Sequence, residues 1–438
     1  MLEPLYTAGE MRSAEAGHDV GAMMERAGRA VAEEALRRFP DATSFGAVCG
    51  TGANGGDARI ALEALRAAGR DADEGLAGDV LIDGLFGTGF RGMPRTDAAA
   101  LIEQMNATGA PVVAVDLPSG VDADTGEVAG AAVRAAVTVA MHGPKVGNVV
   151  APGRFHCGDV VVCDIGLEPD ETEHRLVSAA ILGLVPHKRA EDSKYGAGSV
   201  LVVGGAPGMT GAVCLAAEAA LRADAGYVTV ASPAESLPAL DARLVEAVKR
   251  PLDEVFDAVT RASALAIGPG LGRDDSRHSL VRRLLSETEL PAVVDADALF
   301  GLEPVARTAP TILTPHAGEL ARLLGVESAW VDAHRLDAVR QASSDFGCVC
   351  LLKGADTLVA APGEGVLVSS LGPPSLATAG SGDVLTGVIA AFLAKGMDAR
   401  MAAAAGAVLC AEAARLGPAR GLVAGDVVAL LPRAFDAA

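Results

Sequence analysis

The sequence has few aromatic residues and a marked deficit of basic residues relative to acidic ones. Aromatic side chains make up 3% of its 438 residues, so a binding surface built on aromatic stacking is not expected. Its 36 lysines and arginines are outnumbered by 56 aspartates and glutamates, which gives a formal charge of −20. Such a surface repels phosphate backbones and anionic membranes, so we expect neither a nucleic-acid nor a membrane partner. Anionic ligands must then be held by backbone amides and a few lysines.

Clustered cysteines, a signal peptide and long apolar runs are also missing. The seven cysteines are scattered without a CxxC pair, which is typical of reduced thiols and offers no zinc site. The N-terminal residues have neither a basic start nor an apolar run. The longest apolar stretches are too short to span a bilayer. We therefore expect a cytoplasmic protein.

Alternating strand and helix patterns predict two doubly wound α/β domains. In the first, the strand "GAVC", the loop "GTGANGGD" and the helix "ARIALEALRAAG" follow one another. The second begins with "GSVLVVGG" after the acidic, aperiodic stretch "EPDETEHRL". We predict a domain over 1–168, a linker over 169–176 and a second domain over 177–438. The loops fall at the carboxyl ends of the strands, where such sheets bind ligands.

The stretch "TAGSGDVLTG" (378–387) carries the clearest chemical signal. Val384, Val388 and Phe392 follow at helical spacing, so a helix begins next to Gly380–Gly382. A helix N-terminus preceded by Gly-Ser-Gly lets a phosphate approach the backbone, and Asp383 beside it can act as a general base. The alternative is an ordinary capped helix with Asp383 as its N-cap.

Three further loops are weak signals when each is taken alone. "LLKGADT" places Lys353 after an apolar strand, where an exposed lysine is the simpler reading. "IGPGLG" is consistent with an ordinary turn, and the histidine of "TPHAGE", His316, is consistent with a structural role.

Together, these motifs closely resemble the ADP- or ATP-dependent NAD(P)H-hydrate dehydratases, a branch of the ribokinase-like fold. The resemblance covers 190–438. It implies that the adenine nucleotide is held by Lys353, Gly354, Ala355, Asp356, Thr357, Gly380, Ser381 and Gly382. It also implies that the hydrated nicotinamide cofactor contacts Gly270 or Gly272, His316 and Asp383, with Asp383 catalytic.

The first half resembles the NAD(P)H-hydrate epimerase domain, which has a Rossmann-like fold, through "GANGGD", "DGLFGTGF" and "VDLPSGVD". This resemblance implies that Asp116 is the acid/base residue. The implied substrate contacts are Asn54, Gly55, Gly56, Asp57, Gly87, Thr88, Gly89, Phe90, Arg91, Gly92, Met93 and Asp116. The implied potassium ligands are Asn54, Asp83 and Ser119, whose oxygens suit a hard cation.

Two departures from the epimerase pattern bear on its activity. Ala53 stands where the pattern has a first asparagine, and only "RDADEGLAGD" (70–79) separates the first helix from the next strand. The family usually has an additional strand and helix there, so we expect a sheet one strand short. A non-catalytic scaffold is therefore the alternative for this half.

The resemblance implies repair of hydrated NADH and NADPH: nucleotide-dependent dehydration of the S epimer by the second domain, and R/S epimerisation by the first. A small-molecule kinase of the same fold is the alternative for the second domain. The implied cofactors are ADP or ATP, Mg²⁺ and K⁺, and we expect a homo-oligomer.

Overall fold

Two α/β units make up the computed structural model, which describes residues 1–437. The N-terminal unit comprises Pro4–Arg175 and Asp332–Arg335, and the C-terminal unit comprises Met1–Glu3, Leu176–Val331 and the chain from Leu336 onwards. Among the described residues, no helix has the length and apolar character needed to cross a bilayer.

The N-terminal unit is a parallel sheet with helices on its faces. Strand β1 (Leu2–Leu5) starts the chain, and the unit then contains α1 (Ala8–Glu15), α2 (Val20–Arg38), β2 (Ser44–Cys49), α3 (Ala53–Ala67), β3 (Asp71–Glu74), β4 (Val80–Gly84), α4 (Thr96–Ala107), β5 (Val112–Val115), β6 (Val137–Met141), α5 (Val146–Val149) and β7 (Asp159–Cys163), with a 3-10 turn at Gly153–His156. The six strands are ordered β3-β2-β4-β5-β6-β7 and all pair in parallel. The predicted strand–loop–helix order is confirmed.

The stretch 70–79 differs from expectation. It contains β3, which pairs with β2 from Ser44↔Asp71 to Ala47↔Glu74, so the expected loss of a strand is wrong at this edge. The chain passes from β3 to β4 without an intervening helix. The Asp79 carboxylate accepts hydrogen bonds from the N–H groups of Thr43 (2.8 Å) and Ser44 (3.0 Å), which closes the short turn into β4. Ala72 is the single buried residue of β3, so this strand has no alternation of apolar and polar residues by which the sequence could have predicted it.

The C-terminal unit is built on a larger sheet. After β8 (His174–Val177), at the boundary, its elements are β9 (Ser199–Val203), α6 (Thr210–Arg222), β10 (Tyr227–Ser232), α7 (Leu237–Arg243), β11 (Val248–Pro251), α8 (Val255–Val259), β12 (Ala264–Ile267), α9 (Asp275–Glu287), β13 (Ala292–Val294), β14 (Thr311–Leu313), α10 (Ala317–Leu324), α11 (Ser328–Ala333), α12 (Arg335–Phe346), β15 (Val349–Leu352), β16 (Thr357–Ala360), β17 (Leu367–Ser369), α13 (Ser381–Ala394), α14 (Ala399–Arg415) and α15 (Ala424–Asp436). Short 3-10 helices lie at Ala179–Leu184, Ala234–Ser236, Leu252–Glu254, Ala296–Leu299 and Pro374–Leu376.

The order of this sheet is β1-β8-β17-β16-β15-β14-β13-β12-β9-β10-β11. From β15 to β11 neighbouring strands are parallel, whereas β16 and β17 pair in antiparallel fashion. The carboxyl ends of parallel strands lie at the same edge of a sheet. The loops after β9, β12, β13, β14 and β15 are therefore neighbours at that edge.

Small residues allow α13 to pack closely against α6. A Cβ at Gly387 would lie 2.1 Å from the Ala216 carbonyl oxygen, a distance that no side chain can adopt without moving the backbone. The buried face of α14 is largely alanine. The scarcity of aromatic residues in the sequence therefore reflects helices that approach one another through their backbones.

We expect Gly387→Ala to lower the free energy of unfolding of the C-terminal unit by about 1–3 kcal/mol, because it overpacks the α6–α13 contact. Trp330 is the single tryptophan and belongs to this unit, so its fluorescence during urea unfolding reports on this unit. Gly425→Ala in α15 is the control, since nothing lies within 4 Å of its added Cβ. Equal stability of the two variants would contradict the packing argument.

Candidate functional sites

The first turn of α13 forms one side of the candidate site in the C-terminal unit. Its N-cap is Gly380, with φ +89°, and a Cβ there would lie 2.6 Å from the Leu215 side chain, so glycine is required. The N–H groups of Gly382 and Asp383 lie in the first turn, where a helix provides no internal partner. The N-cap alternative for Asp383 is wrong: the carboxylate lies three residues inside the helix.

The Asp383 carboxyl is surrounded by other charges. Burial raises its pKa to about 6, the nearby carboxylates of Asp295, Asp297 and Glu319 add to the rise, and Lys353 opposes it. A carboxylate with a pKa close to neutrality, next to exposed helix N–H groups, is suited to accept a proton beside a bound phosphate.

Lys353 forms a largely buried ion pair that the sequence did not indicate. Its Nζ lies 2.7 Å from Asp295 Oδ1, and the Thr386 hydroxyl donates to Asp295 Oδ2 at 2.7 Å. Asp295 is 1% exposed and directly follows β13. Burial alone would lower the pKa of Lys353, but Asp295 and Glu319 outweigh it and raise the pKa. Lys353 is therefore a fixed cation next to Gly382.

The loop after β12 lies at the same edge of the sheet. The Gly272 N–H donates to the Asp297 carboxylate (3.0 Å), and the Gly270 carbonyl accepts from the Ala206 N–H (2.7 Å). Gly270 and Gly272 both have positive φ. The loop predicted to contact the hydrated cofactor is thus held in place by Asp297 and by the loop after β9.

His316 follows β14 and caps α10. Its Nδ1 accepts from the N–H groups of Gly318 (3.0 Å) and Glu319 (3.3 Å), and the Glu319 carboxylate accepts from the His316 N–H (2.9 Å). The ring itself is exposed, and its Nε2 lies 3.5 Å from Glu319 Oε1. The structural reading of this histidine is confirmed, and its contact with the hydrated cofactor stays a prediction.

The residues of the predicted nucleotide-binding loop, 353–357, differ in their exposure to solvent. Gly354 and Ala355 are exposed, Thr357 is half-buried at the start of β16, and Asp356 is buried. Asp356 is 1% exposed over the whole residue, so its backbone is buried as well as its side chain. Ser381, by contrast, is half-buried in the first turn of α13.

In the N-terminal unit, Asp116 and Lys145 form a second buried pair. Asp116 has φ +65°, and its Oδ1 accepts from Lys145 Nζ and from the Met141 N–H (2.9 Å). Lys145 is 0% exposed and also donates to the carbonyls of Met141 (2.6 Å) and Gly143 (3.1 Å). A strained backbone around a buried charge pair is characteristic of functional sites.

Asp57, near the start of α3, has no such cationic partner in the part of the chain that the structure describes. Burial raises its pKa to about 7, and the charges of Asp116 and Glu15 add to the rise. The pKa of Glu15 is itself raised, by burial and by Asp116, against the effect of Lys145. The two aspartates of this site therefore differ in their surroundings, one being paired and the other isolated.

Asn54, Asp83 and Ser119 converge below the loop 87–93. Asp83 is 0% exposed and accepts from the Ser119 hydroxyl (2.6 Å) and the Ser119 N–H (2.7 Å). Asn54 Nδ2 donates to the carbonyls of Phe86 (3.1 Å) and Val115 (2.6 Å). Burial raises the pKa of Asp83 to about 6, although hydrogen bonds from Ser119 and Leu85 lower it. A buried carboxylate among neutral oxygen atoms fits a hard monovalent cation.

The predicted phosphate-binding loop is exposed, but its one cation is already paired. Gly89, Arg91, Gly92 and Met93 are exposed, whereas Gly87, Thr88 and Phe90 are half-buried. Arg91 pairs with Asp124 and contacts the carbonyls of Thr88 (2.9 Å) and Phe90 (2.6 Å). The backbone of this loop is therefore its accessible part.

The helix start beside this loop contains the rest of the predicted substrate contacts. Gly55 is buried, Gly56 is half-buried and Ala53 is exposed at the first position of α3. Ala53 thus occupies an accessible position, where an asparagine amide could have reached a ligand.

Lys145, Glu15, Asp295 and Thr386 are the site residues that the sequence analysis missed. Lys145 and Asp295 each follow a short apolar strand, which is the same signal that identified Lys353. That signal could have found both, but it gives no indication of their partners.

Comparisons with known proteins assign a family to each half. Residues 200–432 match the family described as NAD(P)H-hydrate dehydratase. Residues 20–74 and 70–147 match the family described as YjeF-related protein N-terminus, and the two stretches meet at β3.

Curated relatives match most of the chain. The bifunctional NAD(P)H-hydrate repair enzyme Nnr of Moorella thermoacetica is 41% identical over 385 residues, 82% of this chain and 73% of the relative. The protein of the same name from Pyrobaculum aerophilum is 36% identical over 468 residues, 94% of this chain and 93% of the relative.

Solved structures match the C-terminal unit. The ADP/ATP-dependent NAD(P)H-hydrate dehydratase from Bacillus subtilis, co-crystallised with ATP and Mg²⁺, has a TM-score of 0.55 and 29% identity, and covers 59% of this chain and 95% of that chain. A ribokinase-like protein from Enterococcus faecalis has a TM-score of 0.54 at 24% identity, covering 62% of this chain and 98% of its own, which supports the fold.

We expect Lys353→Met to lower the free energy of unfolding of the C-terminal unit by about 3 kcal/mol, because it leaves the Asp295 carboxylate buried without a cation. Urea unfolding followed by Trp330 fluorescence measures the change.

Lys188→Met is the control, because Lys188 pairs with Asp224 (2.7 Å) and both side chains are exposed, at 41% and 42%. It should cost less than about 1 kcal/mol. Similar small losses for both variants would show that the pair with Asp295 is not a stabilising contact.

Proposed function

Because the chain belongs to the family of bifunctional NAD(P)H-hydrate repair enzymes, we propose that it restores damaged nicotinamide cofactors with both of its units. The C-terminal unit dehydrates the S epimer of hydrated NADH or NADPH at the expense of ADP or ATP. The N-terminal unit interconverts the R and S epimers, so that both become substrates for dehydration.

Asp383 acts as the general base of the dehydratase reaction. It accepts the proton of the C6 hydroxyl while that oxygen attacks the terminal phosphoryl group of the nucleotide. The resulting phosphate ester is a far better leaving group than hydroxide, and the electrons of the ring nitrogen expel it. The observation that carries this role is the position of Asp383 in the first turn of α13, beside Gly380–Gly382.

The first turn of α13 and Lys353 stabilise the charge on the phosphoryl group. The N–H groups of Gly382 and Asp383 and the positive end of the helix dipole face the anion, at no cost of reorganisation during the reaction. Lys353, held by Asp295 and Thr386, adds a fixed positive charge. His316, Gly270 and Gly272 contribute to the binding of the hydrated cofactor from the neighbouring loops.

Mg²⁺ enters with the nucleotide, as the co-crystals of the Bacillus subtilis relative with ATP and Mg²⁺ suggest. The carboxylates of Asp295 and Asp297 are engaged by Lys353 and Arg273, and the described residues contain no group of three or more His, Cys, Asp or Glu side chains arranged to hold a metal. The ion neutralises phosphate charge when it is bound, and its ligands would be mainly phosphate oxygens and water.

The epimerase reaction takes place next to Asp116. Lys145 pairs with the Asp116 carboxylate and orients it, which suits it to accept the proton of the C6 hydroxyl. The backbone of Gly87–Met93 binds the phosphates of the substrate, because Arg91 is occupied by Asp124. Ala53 stands where the epimerase pattern has an asparagine, so one amide contact with the substrate is missing. Asp116, Lys145 and the loop Gly87–Met93 are unaffected by this difference.

K⁺ is held by Asn54, Asp83 and Ser119. Asp83 supplies the one negative charge, and the neutral oxygens of Asn54 and Ser119 complete a donor set typical of a hard cation. The cation would fix the loops that end β4 and β5 and would lend positive charge to a site with one lysine.

Cytoplasmic location, assembly into a homo-oligomer and the boundaries 1–168, 169–176 and 177–438 stay predictions. The first follows from the sequence composition, and the second from the resemblance to the family. The third rests on the change of composition at the acidic stretch.

Wild-type protein incubated with S-hydrated NADH and ADP or ATP should regenerate the absorbance of reduced nicotinamide, whereas a simple kinase would not. Asp383→Asn should lower kcat by at least about 100-fold, because it removes the base, while nucleotide affinity stays within a few-fold. Since the carboxylate form is required and the pKa is about 6, the wild-type rate should fall below pH 6. Wild-type turnover in Asp383→Asn would exclude Asp383 as the base.

Replacing K⁺ with tetramethylammonium, which is too large for the site, should slow epimerisation of the R epimer at least about tenfold without slowing dehydration of the S epimer. Asp83→Asn should abolish the difference between the two cations. Asp71→Asn is the control, because Asp71 is an exposed aspartate in β3 of the same unit. Equal rates with both cations in the wild type would argue against a K⁺ site.

A further inference from the structure

The Asp57 carboxyl is a buried acid that no contact in the described part of the chain neutralises. It lies in α3 and is 6% exposed, and its Oδ1 is buried without a hydrogen-bond partner. Burying a carboxyl group without a hydrogen-bond partner lowers the stability of the fold. The presence of such a group next to a reaction centre therefore calls for a functional explanation.

The groups that face Asp57 from neighbouring elements are mostly anionic or neutral. The negative charges that act on Asp57 come from Asp116, after β5, and Glu15, in α1, and the charge of Asp57 in turn acts on the Cys163 thiol of β7. Lys145, whose charge acts on Glu15 and on Cys163, is bound to Asp116. Because no positive side chain among residues 1–437 pairs with it, Asp57 holds its proton near neutral pH, whereas Asp116 pairs with a lysine.

Two carboxyl groups in such different surroundings divide the roles of proton donor and proton acceptor. We propose that Asp57 is the proton donor of the epimerisation, acting together with Asp116 as the acceptor. This inference rests on the proposed epimerase function and adds a catalytic role to a residue so far expected only to bind the substrate.

The pair can carry out a balanced reaction without any further reactant. Asp116 takes the proton of the C6 hydroxyl, the C6–N1 bond breaks with its electron pair moving to N1, and N1 takes the proton of Asp57. The resulting open-chain aldehyde rotates about its C5–C6 bond and presents the opposite face of the carbonyl. Ring closure reverses both proton transfers, so each aspartate returns to its starting state.

Asp57→Asn tests the donor role, because asparagine preserves the shape of the side chain and cannot donate an acidic proton. Purified R epimer is supplied without nucleotide, and the formation of the S epimer is followed chromatographically. The variant should lower kcat for epimerisation at least about 100-fold and change KM by less than about threefold.

Three controls keep this result interpretable. Glu63→Gln, an exposed acid in the same helix, should have wild-type kinetics. Dehydration of the S epimer with ADP measures the active concentration of each variant, and thermal unfolding followed by circular dichroism checks the folding of the N-terminal unit. The wild-type epimerisation rate should fall as the pH rises above about 7, because the protonated form of the donor is lost.

The outcomes separate the two hypotheses. Wild-type kcat in Asp57→Asn, or a raised KM with unchanged kcat, would overturn the donor role and leave Asp57 a binding residue. A rate that does not fall above pH 7 would also overturn it. A wild-type chain that converts the R epimer only at the spontaneous rate would instead overturn the proposed epimerase function itself.

Discussion

The contact between the α13 N-terminus and the Lys353–Asp295 pair is the interaction on which the dehydratase site depends. Asp295 fixes the lysine with one oxygen and is bound by Thr386 of α13 with the other. The buried Asp295 carboxylate therefore connects the end of β13, the loop that contains Lys353 and helix α13 through hydrogen bonds. The arrangement keeps a positive charge beside Gly382 and lets Asp383, one residue later, remain a carboxylate near neutral pH in an acidic surrounding.

The N-terminal unit also contains a buried lysine–aspartate pair at its candidate site. Lys145 and Asp116 form a buried pair at the carboxyl ends of parallel strands, next to a second aspartate whose pKa is raised. In a chain with a net charge of −20, a buried lysine at each site offsets part of the negative charge where anionic ligands must bind. Both units thus combine one paired and one strongly perturbed acid, which is an arrangement suited to proton transfer.

Packing of small residues allows these sites to form. Gly387 and Ala216 bring α13 and α6 together at backbone distance, and this contact fixes the helix whose first turn carries Gly380–Gly382. Close backbone contact orients a helix end more rigidly than large, adjustable side chains would.

The sequence by itself determined the order of strands and helices, the glycine-rich loops at their ends and the place of Asp383 at a helix start. These features are encoded locally, by hydrophobic periodicity and by residues such as Gly380, whose backbone conformation few others can adopt. Only the tertiary structure decided that Lys353 meets Asp295, 58 residues away, and that Lys145 meets Asp116, 29 residues away. It also decided that the polar stretch Asp71–Glu74 is an edge strand and that Asp57 is buried without a cation. Burial and charge pairing depend on which distant elements pack together, and no local pattern records that.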